Sequence, residues 1–545
     1  MNYHYIRNKF GLLLLAVVTF VSLGEAYAQE AQLVTQEAIG KKINLLISAK
    51  GDVTLEGVAE PVKLGQREDY TLTSQTIKIK GDLTKLYCDQ VDLTSLELID
   101  LVNLDELQCT ANHLSKLDVS KSPKLKKLWC NDNQLKELNL GSNTELESLV
   151  CHKNPLEGLN LKANVNLLEL SAYECGLTEI DLSAQVNLTG LLLQGNRLTK
   201  LDLRPLVSLK ELSCANNKLG SIDVSSNTHL VALQCSSCDL KTLDVSKLLE
   251  LATLDCANNN LTELDVRHNL ALEDLDAGSN QLTSLVTVFN PSLFRLFVDN
   301  NQLSSLDLYQ NTELESLNIS GNQFSSLDIS PLTSLVELFV TNNKFKNLDV
   351  AHLAELTIYS CAMNEFTELD LSGLHKLQVA FLFDNKLSEP AIDKLVGQLP
   401  SNVEQGPDTW GLAYVINTLS DTEANVCSDR AVKAAQAKQW VIFDYYGGEE
   451  DEEGNIGHEY SGTPAPVLPV DGGFKFSVYP NPAKDYIEVR GAVAGELVRI
   501  LTVEGRQVAQ HRADENGLAR IPVAHLPHGH YLVRSIGHVA KLMIR

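Results

Sequence analysis

The chain has 545 residues and carries 45 Lys and Arg against 70 Asp and Glu, a formal net charge of −25. This balance argues against a nucleic-acid-binding protein, because neutralising phosphates requires a basic surface. With 44% hydrophobic and 21% charged residues the composition is globular, which excludes disorder throughout the chain. The length allows roughly two to four domains, or one long array of repeats.

The first 28 residues have the pattern of a secretory signal peptide. A basic start precedes an apolar run over residues 11–22, and a small-residue site ends in Ala28. The pattern predicts cleavage between Ala28 and Gln29. No Cys follows that site, so a lipid-anchored start is not expected, and no later stretch supplies the ~20 apolar residues that a membrane helix needs. We therefore expect an exported, soluble protein without a transmembrane segment.

A repeat of 21 residues dominates the rest of the chain. A Leu recurs at this spacing from Leu83 to Leu377, fifteen times without insertion or deletion. The repeat reads L-x-x-L-x-L-x-x-N/C-x-L, the leucine-rich repeat pattern, in which each repeat forms one strand and one turn of a solenoid. Because side chains alternate along a strand, positions four and six face the core, while positions five and seven line the concave face. The pattern predicts a repeat solenoid over residues 83–388 with a parallel β-sheet on its concave face.

Two columns of special residues run along these repeats. Asn stands at position nine in twelve repeats, from Asn112 to Asn385, where it can bond the backbone of its own and the neighbouring repeat. Cys stands at the inward position six in eight repeats, and Cys175 and Cys238 replace the Asn at position nine. Strands in register hold neighbouring Cβ atoms farther apart than the ~3.8 Å preferred in a disulfide, so we predict buried, reduced thiols. The spacing Cys235-x-x-Cys238 is similar to a redox or zinc motif, but the repeat accounts for both residues.

An acidic column, with Asp at the same position of most repeats, is expected on one edge or on the back of the solenoid, as in Asp118 and Asp244. A column of cation sites is the alternative, but hard cations require several converging oxygen atoms rather than one carboxylate per turn. We expect these carboxylates to bond local backbone amides instead. The closely spaced His525, His528 and His530 are not expected to hold a metal either, so the sequence predicts no metal site and no cofactor.

The repeats resemble those of bacterial leucine-rich repeat proteins of the internalin type, specifically the branch with 21-residue repeats and a Cys in the strand. The resemblance covers residues 83–387. It implies a solenoid fold and, for function, an adhesion or invasion protein of the kind involved in virulence, which binds a partner through its concave face.

The segments on either side of the repeats are predicted to cap the solenoid. Residues 29–82 contain alternating strand patterns and are expected to form the N-terminal cap. Residues 389–447 are expected to form an α/β C-terminal cap in which Ser428 begins a helix. The elements predicted there are helices over 390–399 and 429–439 and strands over 412–416 and 441–445. Residues 448–473 are rich in Gly, Pro and acidic residues and are predicted to be a linker.

Residues 474–545 form a basic segment with short alternating strands between Gly turns, which predicts a small all-β sandwich. Its motifs resemble the C-terminal sorting domain of type IX secretion in the Bacteroidetes. The residues that carry the resemblance are Tyr479, Pro480, Asn481, Pro482, Gly529, Tyr531 and Lys541. The resemblance implies contact with the secretion machinery, passage through the periplasm and across the outer membrane, removal of the domain, and attachment to the cell surface or release.

Aromatic residues at positions five and seven are the candidates for a partner-binding surface, because exposed aromatic side chains are the usual anchors of an interface. They form two clusters along the predicted sheet. The candidates are Tyr87, Trp129, His152, Tyr173, Phe297, Phe339, Phe381 and Phe383. The alternative is that β-propensity placed these residues there, or that the C-terminal cap covers Phe381 and Phe383.

We therefore expect a secreted, cell-surface protein that binds a protein partner on host cells or neighbouring bacteria through its concave face. The alternative is a structural component of the cell surface or of a biofilm, which associates with itself or with glycan. The sequence contains no nucleophile–base motif, metalloprotease helix or phosphate loop, so we do not expect an enzyme.

Overall fold

The computed structural model describes residues 29–403, 406, 410–446 and 457–462, and in the C-terminal region 477–479, 483–490, 492, 496–502, 507–514, 517–524, 526–527, 529–535 and 538–544. The chain divides into two compact units, Met1–Lys344 and Phe345–Arg545. The predicted signal peptide and Ala28 lie outside the described residues, and Gln29 lies within them. The domain boundaries expected from the sequence remain predictions.

The first unit begins with seven strands, which are β1 (Glu30–Thr35), β2 (Lys42–Ala49), β3 (Thr54–Glu56), β4 (Arg67–Thr71), β5 (Thr76–Lys80), β6 (Leu83–Tyr87) and β7 (Leu93–Ile99). An antiparallel sheet has the order β3-β5-β1-β7, and β2 pairs antiparallel with both β4 and β6. Side chains alternate between the two faces of β2, so Leu45 and Ile47 lie on the same face, and both are fully buried. Strand β6 is the strand of the first repeat and would otherwise be an open edge of the repeat sheet. Strand β2 covers this edge by pairing with β6.

Short repeat strands follow at 21-residue spacing. In the described part of this unit they are β8 (Glu106–Gln108), β9 (Lys127–Trp129), β10 (Ser148–Val150), β11 (Glu169–Ser171), β12 (Gly190–Leu192), β13 (Glu211–Ser213), β14 (Ala232–Gln234), β15 (Thr253–Asp255), β16 (Asp274–Asp276), β17 (Arg295–Phe297), β18 (Ser316–Asn318) and β19 (Glu337–Phe339). They pair in parallel and in register from β6 onward, so that Leu86, Leu107 and Leu128 stack through the core. These Leu side chains are fully buried, as the pattern predicts.

The Asn at position nine binds neighbouring repeats together. Asn133 Nδ2 donates to the carbonyl oxygen of Cys130 in its own repeat (3.1 Å) and of Cys109 in the preceding one (2.9 Å). Its Oδ1 accepts the backbone N–H of Leu114 at 2.9 Å. The same three bonds recur at Asn217. The predicted bonding to both repeats is confirmed, and it satisfies backbone groups that the turn leaves without a ladder partner.

A second polar column, at position nineteen, was not predicted. Asn143 Nδ2 donates to the carbonyl oxygens of Ser122 (2.8 Å) and Val119 (3.0 Å) in the preceding repeat. Asn227 and Asn269 repeat this geometry. The column is hard to recognise in the sequence because Leu, Ser or Gln takes the position in other repeats.

The second unit begins with the last two repeat strands, β20 (Ile358–Ser360) and β21 (Val379–Phe381). Its parallel sheet continues through β22 (Gly411–Ile416) and β23 (Trp440–Asp444), and β24 (His458–Glu459) pairs antiparallel with β23.

Two helices belong to the same unit. Helix α1 (Glu389–Gln398) begins after Ser388 with a Pro in its first turn. Helix α2 (Asp429–Gln436) begins at Ser428, whose hydroxyl accepts the N–H of Ala431 at 3.3 Å. It ends three residues earlier than predicted, before Gln439 adopts a left-handed conformation with φ of 58°.

The C-terminal region contains β25 (Ser477–Tyr479), β26 (Tyr486–Arg490), β27 (Leu497–Thr502), β28 (Gln507–Arg512), β29 (Leu518–Pro522), β30 (Gly529–Ser535) and β31 (His538–Ile544). Two antiparallel sheets form, with the orders β25-β26-β29 and β28-β27-β30-β31. Ile487 and Val489 from the first sheet and Val498 and Val533 from the second share one buried core. Two antiparallel sheets around one core are the sandwich that the sequence predicts.

Candidate functional site: the concave face of the repeat sheet

Each repeat strand presents its side chains outward, inward and outward in turn. The residue at position four, which is Leu in every repeat strand of the first unit, points into the core. Positions three and five, followed by position seven, therefore form the opposite face. At about 4.8 Å per strand, the thirteen repeat strands described in the first unit form a continuous face about 58 Å long. Sequence reasoning considered positions five and seven and missed position three, although the same alternation places it outward.

A network of charges surrounds Tyr87 on β6. Arg67 of β4 forms an ion pair with Asp89 at 2.6 Å, and its guanidinium carbon lies 5.5 Å from the centre of the Tyr87 ring. The Tyr87 hydroxyl donates to Glu106, which also accepts from Lys85 at 2.8 Å. Burial acts to raise the pKa of Glu106, but the bonds from Lys85 and Tyr87 outweigh it and lower that pKa. Tyr87 therefore has its polar end occupied and is a fixed part of the surface.

The first predicted aromatic cluster contains one exposed indole and one stacked pair. Trp129 on β9 is 38% exposed. The rings of His152 and Tyr173, from adjacent repeats, stack with their centroids 3.9 Å apart. His152 Nδ1 lies 2.9 Å from Ser171 Oγ, and Nε2 lies 3.7 Å from the carboxylate of Asp132. Burial lowers the pKa of His152, so the pair presents uncharged aromatic surface at neutral pH.

The second predicted cluster contains Phe297 on β17 and Phe339 on β19, both partly exposed. Asn318 of β18 lies between them in register. The guanidinium carbon of Arg295 lies 4.7 Å from the centre of the Phe297 ring, and Arg295 also forms an ion pair with Asp274 at 2.7 Å. Arg295 and Asp274 both occupy position three, so the residues that hold this ring in place are ones that sequence reasoning missed.

Carboxylates lie beside Phe297. Asp276 precedes it at position five, and Asp299 follows at position seven, where it accepts a hydrogen bond from Asn318 Nδ2 at 3.1 Å. Burial raises the pKa of both carboxyl groups. Gly278 makes room for this arrangement, because a Cβ there would lie 2.7 Å from Asp299 Oδ1. The region is suited to a partner that brings hydrogen-bond donors or positive charge.

The C-terminal cap covers the last two aromatic candidates. Phe383 is 4% exposed and stacks on Tyr445, with ring centroids 4.1 Å apart. Phe381 stacks on Tyr414 of β22 at 4.6 Å, and Tyr414 stacks in turn on Phe443 of β23. The expectation that Phe383 is an exposed anchor is therefore corrected: its ring is part of a core beneath the cap, and Phe381 is largely covered by the same residues.

The cysteines and the acidic column recur with the repeat, and their side chains bond the backbone. All eleven Cys are buried with free thiols. The Cys238 thiol donates to the carbonyl oxygen of Cys214 at 3.1 Å, as an Asn at that position would. Asp244 Oδ1 accepts the N–H of Ser246 at 2.9 Å, and hydrogen bonds from Ser246 lower the Asp244 pKa. Within the described residues, no group of three or more His, Cys, Asp or Glu is placed to hold a metal.

Some of the predicted sorting residues lie within the part of the chain that the structure describes. Tyr479 lies in β25, where its backbone pairs with Glu488, and Gly529 begins β30. Tyr531 is buried and its hydroxyl donates to the carbonyl oxygen of Pro527 at 2.8 Å, whereas Lys541 in β31 is exposed. Pro480, Asn481 and Pro482 lie outside the described residues, as do His525 and His528 of the His group.

Together these features define a leucine-rich repeat solenoid with a mixed polar and aromatic concave face, in a chain that ends in an antiparallel β domain. Residues 477–543 match the secretion system C-terminal sorting domain. This domain directs export, so the protein reaches the outer cell surface or is secreted. In the part of the chain that the structure describes, no helix is both long and apolar enough to cross a membrane.

Solved structures of leucine-rich repeat proteins are similar to this chain. The functional domain of InlJ from Listeria monocytogenes, which includes a cysteine ladder, is 22% identical with a TM-score of 0.51, over 87% of this chain and 94% of that one. The leucine-rich repeat ectodomain of the receptor kinase GASSHO1/SCHENGEN3 from Arabidopsis thaliana is 22% identical with a TM-score of 0.51, over 63% of this chain and 47% of that one. Among curated protein sequences, none matches the chain. The structural likeness confirms the leucine-rich repeat fold.

Proposed function

We propose that this exported protein binds a protein partner on host cells or on neighbouring bacteria through its concave face, as an adhesion or invasion factor without catalytic activity. The observation that carries the proposal is the arrangement at Phe297, where a partly exposed ring is held by Arg295, and Arg295 by Asp274. A ring fixed in this way loses little side-chain entropy when a partner covers it, which favours binding.

Three partly exposed aromatic side chains are the proposed anchors: Trp129, Phe297 and Phe339. Around them lie charges that are already paired within the protein, such as Lys85 with Glu106. Interfaces concentrate their binding energy in a few aromatic residues surrounded by a polar rim, and fixed charges add selectivity. The GASSHO1/SCHENGEN3 ectodomain was solved in complex with CASPARIAN STRIP INTEGRITY FACTOR 2. For this chain, the shared leucine-rich repeat fold supports the binding of a protein.

The experiment measures binding of the purified full chain to host cells and to bacterial surface preparations. Trp129→Ala and Phe339→Ala are each expected to weaken binding about thirtyfold, the effect of losing a central aromatic anchor. The matched control is Tyr309→Ala, since Tyr309 is 69% exposed but lies outside the repeat strands. Asp244→Lys in the acidic column is a second control. Equal losses from the anchors and the controls, with unchanged melting temperatures, would contradict the proposal.

A further inference from the structure

Two arginines of the sorting domain lie directly opposite each other on neighbouring strands. Arg499 of β27 and Arg534 of β30 are cross-strand partners in the antiparallel register. Their sequence neighbours Ile500 and Val533 belong to the core between the two sheets, so alternation places both arginines on the opposite face of their sheet. Like charges directly opposite each other destabilise a sheet. The pair is therefore unfavourable in the sorting domain by itself, and a partner group that faces both charges would offset the repulsion.

A tyrosine of the C-terminal cap faces both arginines. Arg499 Nη1 donates to the hydroxyl oxygen of Tyr446 at 3.1 Å. The guanidinium carbons of Arg499 and Arg534 lie 5.0 Å and 5.7 Å from the centre of the Tyr446 ring. Both distances fall within the ~6 Å range over which an aromatic ring attracts a cation. The ring is only 2% exposed, so the contact removes it almost completely from solvent.

The folded cap holds the Tyr446 ring in a fixed position. Tyr446 follows strand β23 with a φ of 48°, a left-handed conformation that few residues other than glycine adopt. Its backbone N–H donates to Asp444 Oδ1 at 3.1 Å, and its ring packs edge-on against His458 of β24, with the centroids 4.8 Å apart. Because Asp444 and His458 are paired across β23 and β24, the ring takes this position only when the cap is folded.

The surroundings of Arg534 agree with a docked arrangement. Its Nη1 is shielded from solvent and has no hydrogen-bond partner among the described residues, as expected of a group that faces a ring rather than an acceptor. Burial lowers the pKa of Arg534, and groups of the cap that include Asp444 and Asp421 act to raise it. On the same face of the sheet, Leu501 of β27 is only 1% exposed. This face of the sorting domain is therefore covered, although it lies outside the core between the two sheets.

We propose that the face of the sorting domain with Arg499 and Arg534 is a docking surface for the folded C-terminal cap, with the Tyr446 ring as its anchor. The exported chain then carries its sorting domain docked on the cap rather than free. The two partners belong to one chain, so their effective concentration is high and a small contact suffices. Since only a folded cap presents the ring, docking couples the position of the sorting domain to the folding of the cap. The proposal does not depend on what the concave face binds.

Hydroxyl-radical labelling of the purified full chain, followed by mass spectrometry, tests the proposal. In the wild type, Tyr446 should react slowly and Tyr309, which is 69% exposed, should react fast. Arg499→Glu removes the hydrogen bond to the ring and places a carboxylate opposite Arg534. This change relieves the repulsion between the strands, so the sorting domain should stay folded. Because labelling of Tyr446 follows the undocked fraction, docking that is about tenfold weaker should raise its labelling rate about tenfold.

The matched control is Arg520→Glu. Arg520 stacks on Tyr486 of the same domain, with its guanidinium carbon 3.9 Å from the ring centre. The control therefore removes the same kind of contact within the sorting domain and should leave the labelling of Tyr446 unchanged. Two buried residues report folding: Tyr414 in the cap and Tyr531 in the core of the sorting domain should stay unlabelled in every variant.

The reverse experiment changes the cap. Tyr446→Ala should make Arg499 and Arg534 react faster with phenylglyoxal, a reagent that modifies guanidinium groups, and should leave the reaction of Arg520 unchanged. A wild type in which Tyr446 is labelled as fast as Tyr309 would overturn the proposal. Tyr446 that stays protected in Arg499→Glu would also overturn it, because another group would then cover the ring. If Arg499→Glu does not fold, the wild-type rates and the reverse experiment decide instead.

Discussion

Cys175 donates its thiol to the carbonyl oxygen of Cys151, at 3.4 Å across the boundary between two repeats. The two residues are 24 positions apart, the same separation at which Asn154 Nδ2 reaches the carbonyl oxygen of Cys130 at 3.0 Å. The thiol therefore stands in for the amide of an Asn at this position. The replacement is incomplete, because a thiol is a weak donor and a weak acceptor, whereas an amide donates twice and accepts twice.

Replacing Cys175 with Asn should therefore stabilise the protein. The new amide would donate to the carbonyl oxygens of Cys151 and Ala172 and accept a backbone N–H, as Asn133 does, for a gain of about 1 kcal/mol. Denaturant unfolding of the full chain measures the change. The matched control is Cys109→Asn, at the inward position six, where the amide finds no such set of partners and should destabilise by about 1–3 kcal/mol. A destabilising Cys175→Asn would show that the fit of the thiol matters more than its bonding.

The buried thiols should resist alkylation while the protein is folded. Burial raises the pKa of Cys130 and of Cys361 to about 12, and the thiolate is the reactive form. All eleven Cys are buried, so native protein at pH 8 should incorporate little label, and unfolded protein that was never reduced should incorporate label at all eleven Cys. Mass spectrometry counts the labels. If unfolded protein gains label only after a reductant is added, some of these residues are joined in disulfides.

Substitutions at Phe383 and Trp129 should differ in their cost to the free energy of unfolding. Phe383→Ala removes a ring that is 4% exposed and stacked on Tyr445, so it should cost about 3–5 kcal/mol of unfolding free energy. Trp129→Ala removes a ring that is 38% exposed and should cost about 1 kcal/mol or less. Denaturant titrations of both variants give the two values. Similar costs at the two sites would mean that Trp129 is also part of the core.

The repeats could be predicted from the sequence because their signals are local and periodic. A Leu recurs every 21 residues, and side chains alternate along each strand. These two patterns predict that Leu128 and Cys130 lie on the buried face of the sheet. The burial of Phe383 could not be predicted in this way. It depends on β22 and β23 joining the sheet beside β21, a pairing between segments tens of residues apart that no periodic pattern records.

The concave face could also be predicted from the sequence only in part. Alternation alone identifies Phe297 and Phe339 as outward residues. The ion pair between Arg295 and Asp274 depends on the parallel register, which brings the same position of adjacent repeats side by side. With that register known, position three becomes as informative as position five, and Glu106 appears as the centre of the network around Tyr87.

Glu423 should make the stability of the C-terminal cap depend on pH. Its carboxylate accepts the backbone N–H groups of Asp384 (2.9 Å), Asn417 (2.7 Å) and Asn425 (2.8 Å), which ties the cap loop to the last repeat. Burial raises the pKa of Glu423 to about 7, and the nearby charge of Asp384 adds to the rise, although the three N–H groups oppose it. The carboxyl group is therefore protonated in the folded cap at a pH where it is ionised in the unfolded chain.

The sign of the effect follows from this difference in pKa. Between the unfolded value of about 4.5 and the folded value of about 7, the folded state holds the extra proton, so stability falls as the pH rises through this range. The contribution is fully present below about pH 4.5 and is lost above about pH 7. Glu423→Gln carries no titratable group, so the wild type should lose more melting temperature than the variant between pH 5 and pH 8. The control Glu368→Gln changes an exposed carboxylate of the same unit and should follow the wild type. Parallel curves for wild type and Glu423→Gln would show that the three backbone bonds keep Glu423 ionised in the folded cap.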